Sequence, residues 1–93
     1  MSEIKKLSKI FTIPNELGLH ARAAAKFVKV AGDFESEVFV TKGSRTVNGK
    51  SIMGLLLLAA AKGTQITLAT EGSDAAEAIQ ALEKLINEKF GEK

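Results

Sequence analysis

Apolar residues recur at helical spacing between Asp74 and Ile86, and this stripe constrains the fold more than any other feature of the chain. Its members are Ala75, Ala78, Ile79, Leu82, Leu85 and Ile86. Ser73 or Asp74 is the expected N-cap, and Asp74 and Glu77 have the spacing of a capping box. Because a helix with one apolar stripe has to bury it, the segment predicts an amphipathic helix packed on a core.

The rest of the chain alternates between strand and helix patterns. Strands are predicted over residues 7–13, 37–41, 45–48 and 65–70, and two further helices over residues 21–31 and from Ser51 to Gly63. The order βαββαβα predicts an α+β fold, a two-layer open-faced sandwich with a four-stranded antiparallel sheet and three helices on one face. With 93 residues, 45% of them hydrophobic, the chain is expected to form a single domain over residues 1–93.

Two of these elements carry more detailed expectations. In the last strand, Ile66 and Leu68 alternate with a polar face to which Gln65, Thr67 and Thr70 are assigned. The helix after Ser51 is apolar on nearly every side. Its inward face is predicted to consist of Leu55, Leu58 and Ala59. A second apolar group lies on another side and consists of Ile52, Met53 and Leu56. Apolar groups outside a core often mark docking surfaces, and a helix enclosed by core is the alternative interpretation.

The composition argues against several classes of function. The chain has no cysteine and one histidine, so it offers neither a disulfide nor a plausible metal site. A net charge of +2, the lack of Trp and Tyr and only five Phe leave little basis for a nucleic-acid interface, which is the weakest of the alternatives. The N-terminal lysines precede no apolar signal segment, and the longest apolar run, residues 52–61, is too short to cross a bilayer. We expect a cytoplasmic protein that binds no metal, cofactor, membrane or nucleic acid.

His20 stands where a loop containing Gly18 meets the first predicted helix. The first turn of a helix exposes unpaired N–H groups and the positive end of the helix dipole, so it binds phosphate. Those groups and Arg22 can hold the oxygens of a phosphoryl group, and a neutral imidazole is a nucleophile near pH 7. The residues alone leave an alternative open, in which His20 is only a loop residue or N-cap. Arg22, Lys26 and Lys29 form a basic stripe whose simplest interpretation is a solvated face.

Two short segments resemble the signatures of one family. The run GLHAR at residues 18–22 is similar to the active-site signature of HPr, the histidine-containing phosphocarrier of the bacterial phosphotransferase system, and KSIMG at residues 50–54 resembles its regulatory serine segment. Ser51 follows His20 by 31 positions, which is the family's spacing. The resemblance implies an HPr-like fold in which His20 accepts a phosphoryl group at Nδ1 from enzyme I, itself charged by phosphoenolpyruvate. His20 then passes it to an enzyme II A component, and Arg22 steadies it.

The resemblance also implies a role and a form of regulation. The protein is expected to be a monomeric carrier rather than a stand-alone enzyme, in sugar uptake or in the regulatory nitrogen branch. In some bacterial groups an HPr serine kinase phosphorylates the residue that corresponds to Ser51. That residue is also a predicted N-cap, whose hydroxyl accepts from the N–H of Met53 or Gly54. A phosphate there adds negative charge beside Ile52 and Met53 and weakens docking of an acidic partner.

Ala23 departs from the family pattern, because the residue after the active-site arginine is usually proline. Proline in the first turn fixes the backbone and leaves no orphan N–H, so Ala23 implies a looser site and slower transfer. A further alternative is an interaction module that acts through Ile52, Met53 and Leu56 whether or not His20 is charged. Phosphoenolpyruvate with enzyme I distinguishes the two, because only a carrier becomes phosphorylated.

Overall fold

The computed structural model describes residues 5–92, which contain four strands and three α-helices. Along the chain they are β1 (Lys5–Thr12), α1 (Ala21–Ala31), β2 (Glu37–Lys42), β3 (Arg45–Asn48), α2 (Ile52–Leu57), β4 (Gln65–Gly72) and α3 (Ala75–Asn87). A short 3-10 helix, Lys89–Gly91, follows α3. The predicted order βαββαβα and the α+β class are confirmed. None of the helices in the described part is long and apolar enough to cross a membrane.

The four strands form one antiparallel sheet in the order β1-β4-β2-β3. The register pairs Phe11 with Ile66 and Val40 with Leu68, so their side chains lie on the same face. That face is buried under the helices, whereas the alternate positions Phe39 and Thr67 are only half-buried. The sheet therefore has one covered face and one open face, as the sequence predicts.

The helices close the core over the covered face. In α1 the buried side is Ala23, Ala24, Phe27 and Ala31. In α3 the predicted stripe is confirmed, with Leu82 and Ile86 fully buried and Leu85 packed at the margin. Val38 and Leu68 of the sheet meet these side chains in a single cluster. Burial of this apolar surface is the main stabilising contribution to the fold.

Helix α2 is shorter than predicted, because it ends at Leu57 instead of continuing to Gly63. Lys42 and Arg45 cap this end of the helix, since their side chains donate to three carbonyl groups there. The acceptors are the carbonyl oxygens of Leu57, Leu58 and Ala59, at 3.0–3.2 Å. Ala59 then takes a left-handed conformation with φ of 49°, which turns the chain out of the helix. The prediction that Ala59 faces inward is wrong, and Ala60 is buried instead.

The start of α3 also differs from the sequence prediction. Asp74 occupies the N-cap, yet its carboxylate forms no bond to the first turn of the helix, so the capping box is absent. The carboxylate instead accepts hydrogen bonds from the backbone N–H groups of Glu35 and Ser36 and from the Ser36 hydroxyl. The sequence predicts Thr70 on the polar face of β4, but the residue is buried and its hydroxyl donates to the Ala75 carbonyl. Both polar side chains are used to join α3 to neighbouring segments.

Candidate functional site

The loop from β1 to α1 presents His20 at the start of the helix. Gly18 has a φ of +65°, and a Cβ at this position would lie 2.5 Å from the Ala60 carbonyl oxygen. Only glycine fits this turn, because it combines a left-handed backbone with a close approach. The N–H of the buried Leu19 then donates to the same Ala60 carbonyl at 2.8 Å. The loop is therefore fixed against the segment that follows α2, and His20 becomes the N-cap of α1.

The two ring nitrogens of His20 have different partners. Nδ1 accepts from the backbone N–H of Arg22 at 3.3 Å and thus faces the first turn of α1. Nε2 lies 2.8 Å from Oε2 of Glu92. Because an ionised carboxylate only accepts hydrogen bonds, these contacts assign the proton to Nε2 and leave the lone pair on Nδ1. The ring thus presents an unprotonated nitrogen to the positive end of a helix.

Glu92 is held in place by Asn15 as well as by His20. The Asn15 amide is almost fully buried, and its Nδ2 donates both to the Gly18 carbonyl at 2.8 Å and to Oε2 of Glu92 at 2.5 Å. Burial on its own raises the pKa of Glu92, but the hydrogen bonds from His20, Asn15 and the Leu17 backbone, with the charge of His20, outweigh it and leave the pKa below its ordinary value. Glu92 is therefore a carboxylate at neutral pH.

Sequence reasoning missed Asn15 and Glu92. His20 and Glu92 are 72 positions apart, and no spacing within the sequence relates them. The contact exists because the turn after α3 folds back over α1. Phe90 is buried there, and its carbonyl accepts from Nζ of Lys26 at 2.8 Å. One member of the predicted solvated basic stripe therefore anchors the turn that carries Glu92.

Arg22 lies beside His20 as the second residue of α1, and its side chain is exposed. Within residues 5–92 no hydrogen bond or ion pair holds its guanidinium group. The backbone ladder of α1 begins with the bond from the Ala24 N–H to the His20 carbonyl, at 2.8 Å. The N–H groups before Ala24 therefore precede the ladder, and the one of Arg22 points to Nδ1. These donors and an exposed guanidinium are groups that can bind phosphoryl oxygens.

An apolar surface borders His20 on one side. A shallow pocket of about 330 Å³ is lined by Leu17, Leu19, His20, Leu56 and residues 59–61. Two of its lining residues, Leu17 and Leu56, are exposed apolar side chains. Three further residues of α2 are exposed apolar side chains as well, and we call the five together the apolar rim: Leu17, Ile52, Met53, Leu56 and Leu57. Met53 and Leu17 are the most open, each 68% exposed. The predicted exposure of Ile52, Met53 and Leu56 is confirmed, and Leu17 and Leu57 extend the surface beyond the prediction.

Ser51 is the N-cap of α2, as predicted. Its hydroxyl accepts from the Gly54 N–H at 3.0 Å, which satisfies one of the unpaired donors of the first turn. The side chain is partly exposed and adjoins the rim residues Ile52 and Met53 along the chain. A charge added at Ser51 therefore acts directly on the apolar rim.

Comparisons with known proteins show the family to which the chain is related. A family profile described as "PTS HPr component phosphorylation site" matches residues 7–88. The phosphocarrier protein HPr of Neisseria meningitidis serogroup A is 60% identical over 86 residues, which cover 92% of this chain and 97% of that protein. The phosphocarrier protein NPr of Shewanella violacea is 41% identical over 87 residues, covering 94% and 96% of the two chains.

A solved structure shows the same architecture. The crystal structure of HPr-C-His from Thermoanaerobacter tengcongensis superimposes with a TM-score of 0.90 at 46% identity, covering 94% of this chain and 98% of that one. The relation thus extends over nearly the whole length of both proteins, in sequence and in fold. The chain belongs to the HPr family, the phosphocarrier proteins of the phosphotransferase system.

Proposed function

We propose that Nδ1 of His20 accepts a phosphoryl group from enzyme I and donates it to an enzyme II A component. The observation that carries this proposal is the state of the ring. Nε2 is hydrogen-bonded to Glu92, and the Nδ1 lone pair faces the start of α1, where it accepts from the Arg22 N–H. A nucleophile and the donors for a phosphoryl group therefore meet at one point.

The transfer is an exchange of one bond for another. The Nδ1 lone pair forms the N–P bond while the bond from phosphorus to the donor protein breaks, and its electron pair stays with the donor. The Arg22 N–H, which now bonds to Nδ1, and the Arg22 guanidinium can then turn to the phosphoryl oxygens. Onward transfer reverses the exchange, so the carrier ends each cycle unchanged.

The apolar rim is the surface that we assign to docking. Both the donor and the acceptor protein have to reach His20, and the rim residues Leu17 and Leu56 line the pocket beside this ring. Burial of exposed apolar side chains favours association. Most of the rim residues lie on α2, whose N-cap is Ser51. Phosphorylation of Ser51 by a serine kinase is proposed to weaken docking, because it adds roughly two negative charges next to the rim.

The main sugar branch is favoured over the nitrogen branch. The 60%-identical relative bears the name HPr, whereas the relative named NPr is 41% identical. An interaction module that acts through the rim alone remains a second candidate, and the exposure of Met53 is the observation that favours it. The two differ in whether a phosphoryl group is ever carried.

The deciding experiment is incubation of the purified protein with phosphoenolpyruvate and enzyme I. We expect one acid-labile phosphoryl group per chain, assigned to Nδ1 of His20 by ³¹P and ¹⁵N NMR. Binding to enzyme I without any phosphoryl uptake would replace the carrier by the interaction module. Docking is tested separately by titrating enzyme I with Met53→Glu and Ser51→Asp. The free energy of binding to enzyme I should weaken by more than the free energy of unfolding falls. An unchanged affinity for enzyme I contradicts the docking assignment.

A further inference from the structure

We propose that Glu92 is a positioning residue whose carboxylate keeps the imidazole proton of His20 on Nε2 and thereby presents Nδ1 as the nucleophile. Its kinetic consequence rests on the proposed function, but the tautomer itself is a property of the unphosphorylated protein. The two can therefore be tested apart.

The hydrogen bonds around the ring admit only one neutral tautomer. Oε2 of Glu92, 2.8 Å from Nε2, accepts a proton and cannot supply one when ionised. On the other side of the ring the Arg22 N–H, 3.3 Å from Nδ1, is a donor. A proton on Nδ1 would point at the Arg22 N–H, so that two hydrogen-bond donors face each other. It would also leave the Nε2 lone pair facing the Glu92 carboxylate. The tautomer with Nδ1 protonated is thus disfavoured at both nitrogens.

Glu92 can hold the ring because it is itself held. Asn15, only 1% exposed, donates to the same Oε2 atom. The buried Phe90 and its bond from Lys26 fix the turn two residues earlier. Lys89 and Phe90 both have φ near +55°, a conformation that costs free energy in residues other than glycine. The turn keeps this strained path because its anchors outweigh the cost.

A fixed Nε2 proton assists both directions of transfer. When Nδ1 bonds to phosphorus, the ring gains positive charge, provided that Nε2 keeps its proton. The carboxylate of Glu92 lies against that proton and stabilises the charge. When the N–P bond breaks, its electron pair returns to Nδ1 and the ring leaves as neutral imidazole rather than imidazolate. A carboxylate next to Nε2 therefore assists both the uptake and the release of the phosphoryl group.

A purely structural role for Glu92 makes a different prediction. If the contact only closes the turn over α1, its removal lowers stability and leaves the preference between ring nitrogens unchanged. If Glu92 instead masks His20 from partners, its removal makes transfer faster. Both outcomes differ from those expected of a positioning residue, which are an altered tautomer ratio and slower transfer.

The test uses Glu92→Ala and Glu92→Gln in the full chain, with Glu88→Ala as the matched control. Glu88 is exposed in the same segment, and within the described residues its side chain has no hydrogen-bond partner. Long-range ¹H–¹⁵N NMR of labelled histidine reports the proton position on the neutral ring. We expect wild type and Glu88→Ala to show the Nε2–H tautomer predominantly, and Glu92→Ala to show a mixture of both.

Single-turnover transfer from phosphorylated enzyme I gives the kinetic readout. Loss of a group that orients a catalytic histidine should slow transfer about tenfold in Glu92→Ala. Glu92→Gln can still accept from Nε2 through its amide oxygen, so it should keep the tautomer and lose only part of the rate. An unaltered tautomer ratio or a faster transfer in Glu92→Ala overturns the proposal. Failure of the wild type to accept a phosphoryl group overturns the proposed function instead. In that case the tautomer ratio still decides whether Glu92 positions the ring.

Discussion

Asp74 and Glu92 are two carboxylates that each join distant parts of the chain, but their hydrogen-bond donors differ in kind. Asp74 accepts from the Ser36 hydroxyl and from two backbone N–H groups, none of which changes its protonation near neutral pH. Glu92 accepts from an imidazole as well as from an amide. Bonds to the ionised form lower the pKa of both carboxyl groups. The comparison separates a carboxylate that fastens the fold from one that sets the state of a reactive ring.

The largest expected effect comes from removing the ring. His20→Ala should abolish phosphoryl acceptance, because no other residue of the site offers a nucleophilic nitrogen. The fold should persist, since loss of an N-cap bond costs only about 0.5 to 2 kcal/mol. Phosphorylation assays and thermal unfolding check the two statements. Any acid-labile phosphoryl group remaining on the variant rules out His20 as the acceptor.

Arg22→Ala is expected to have the next largest effect. Transfer should slow by about tenfold while acceptance continues, because the backbone donors at the start of α1 remain. Lys29→Ala is the matched control, since it removes an equal charge from the exposed face near the other end of the same helix. Equal rates for wild type and Arg22→Ala, measured in single turnovers, would remove Arg22 from the site.

The hydrogen bonds that Asp74 accepts from Glu35 and Ser36, which we call the Asp74 clip, should affect stability and not phosphoryl transfer. Ser36→Ala removes a buried hydroxyl bonded to Asp74 and should cost about 1 kcal/mol, or roughly 4 to 8 °C in Tm. The bond from the Ser36 hydroxyl, followed by that from the Glu35 N–H, lowers the pKa of Asp74. The folded state therefore binds this proton less readily than the unfolded chain, and the stabilising contribution is lost as the pH falls below about 4.

Asp74→Asn gives the corresponding pH test. The variant should be less stable than wild type at pH 7, and the difference should shrink as the pH is lowered through the acid range. Denaturant unfolding at several pH values measures it. A constant difference across this range would mean that the Asp74 charge is not what matters, and reduced phosphoryl acceptance at pH 7 would erase the contrast with Glu92.

The smallest expected effect concerns the position where the family usually has proline. Ala23 precedes the first intrahelical bond, which the Ala24 N–H makes, so proline at residue 23 removes no bond of the ladder. Ala23→Pro should raise stability by about 0.4 to 1 kcal/mol, with transfer equal or slightly faster. A destabilisation of more than 1 kcal/mol would show that the buried surroundings of Ala23 cannot accept the ring.

Local periodicity was enough to predict most of the fold. Helix α1 begins and ends at the predicted residues, and the α3 stripe is buried as expected, because both signals lie within a single element. The end of α2 was missed because the donors at this end, Lys42 and Arg45, come from the neighbouring hairpin and not from the helix itself. The Asp74 clip escaped prediction for the same reason. Its partners are supplied by packing and not by spacing along α3.

The same holds for the site: residues with local signals were predicted, and residues placed by contacts between distant segments were missed. His20 and Ser51 were identified because caps and short signatures are local, and both are N-caps in the structure. Asn15 reads as part of a turn after Pro14, and nothing in the sequence relates it to Glu92. The carboxylate that selects the ring tautomer was therefore beyond sequence reasoning, although it contacts the proposed nucleophilic side chain.

The contact between His20 and Glu92 also affects when the protein becomes competent during synthesis. A ribosome that adds 5 to 20 residues per second places the 72 positions between them roughly 4 to 14 s apart. A nascent chain thus exposes its histidine well before the carboxylate that orients the ring exists. The finished site appears only after α3 and the turn beyond it have docked. Phosphoryl uptake at the full rate consequently reports on completed folding, and a chain that stalls or is truncated before residue 92 should be excluded from efficient exchange.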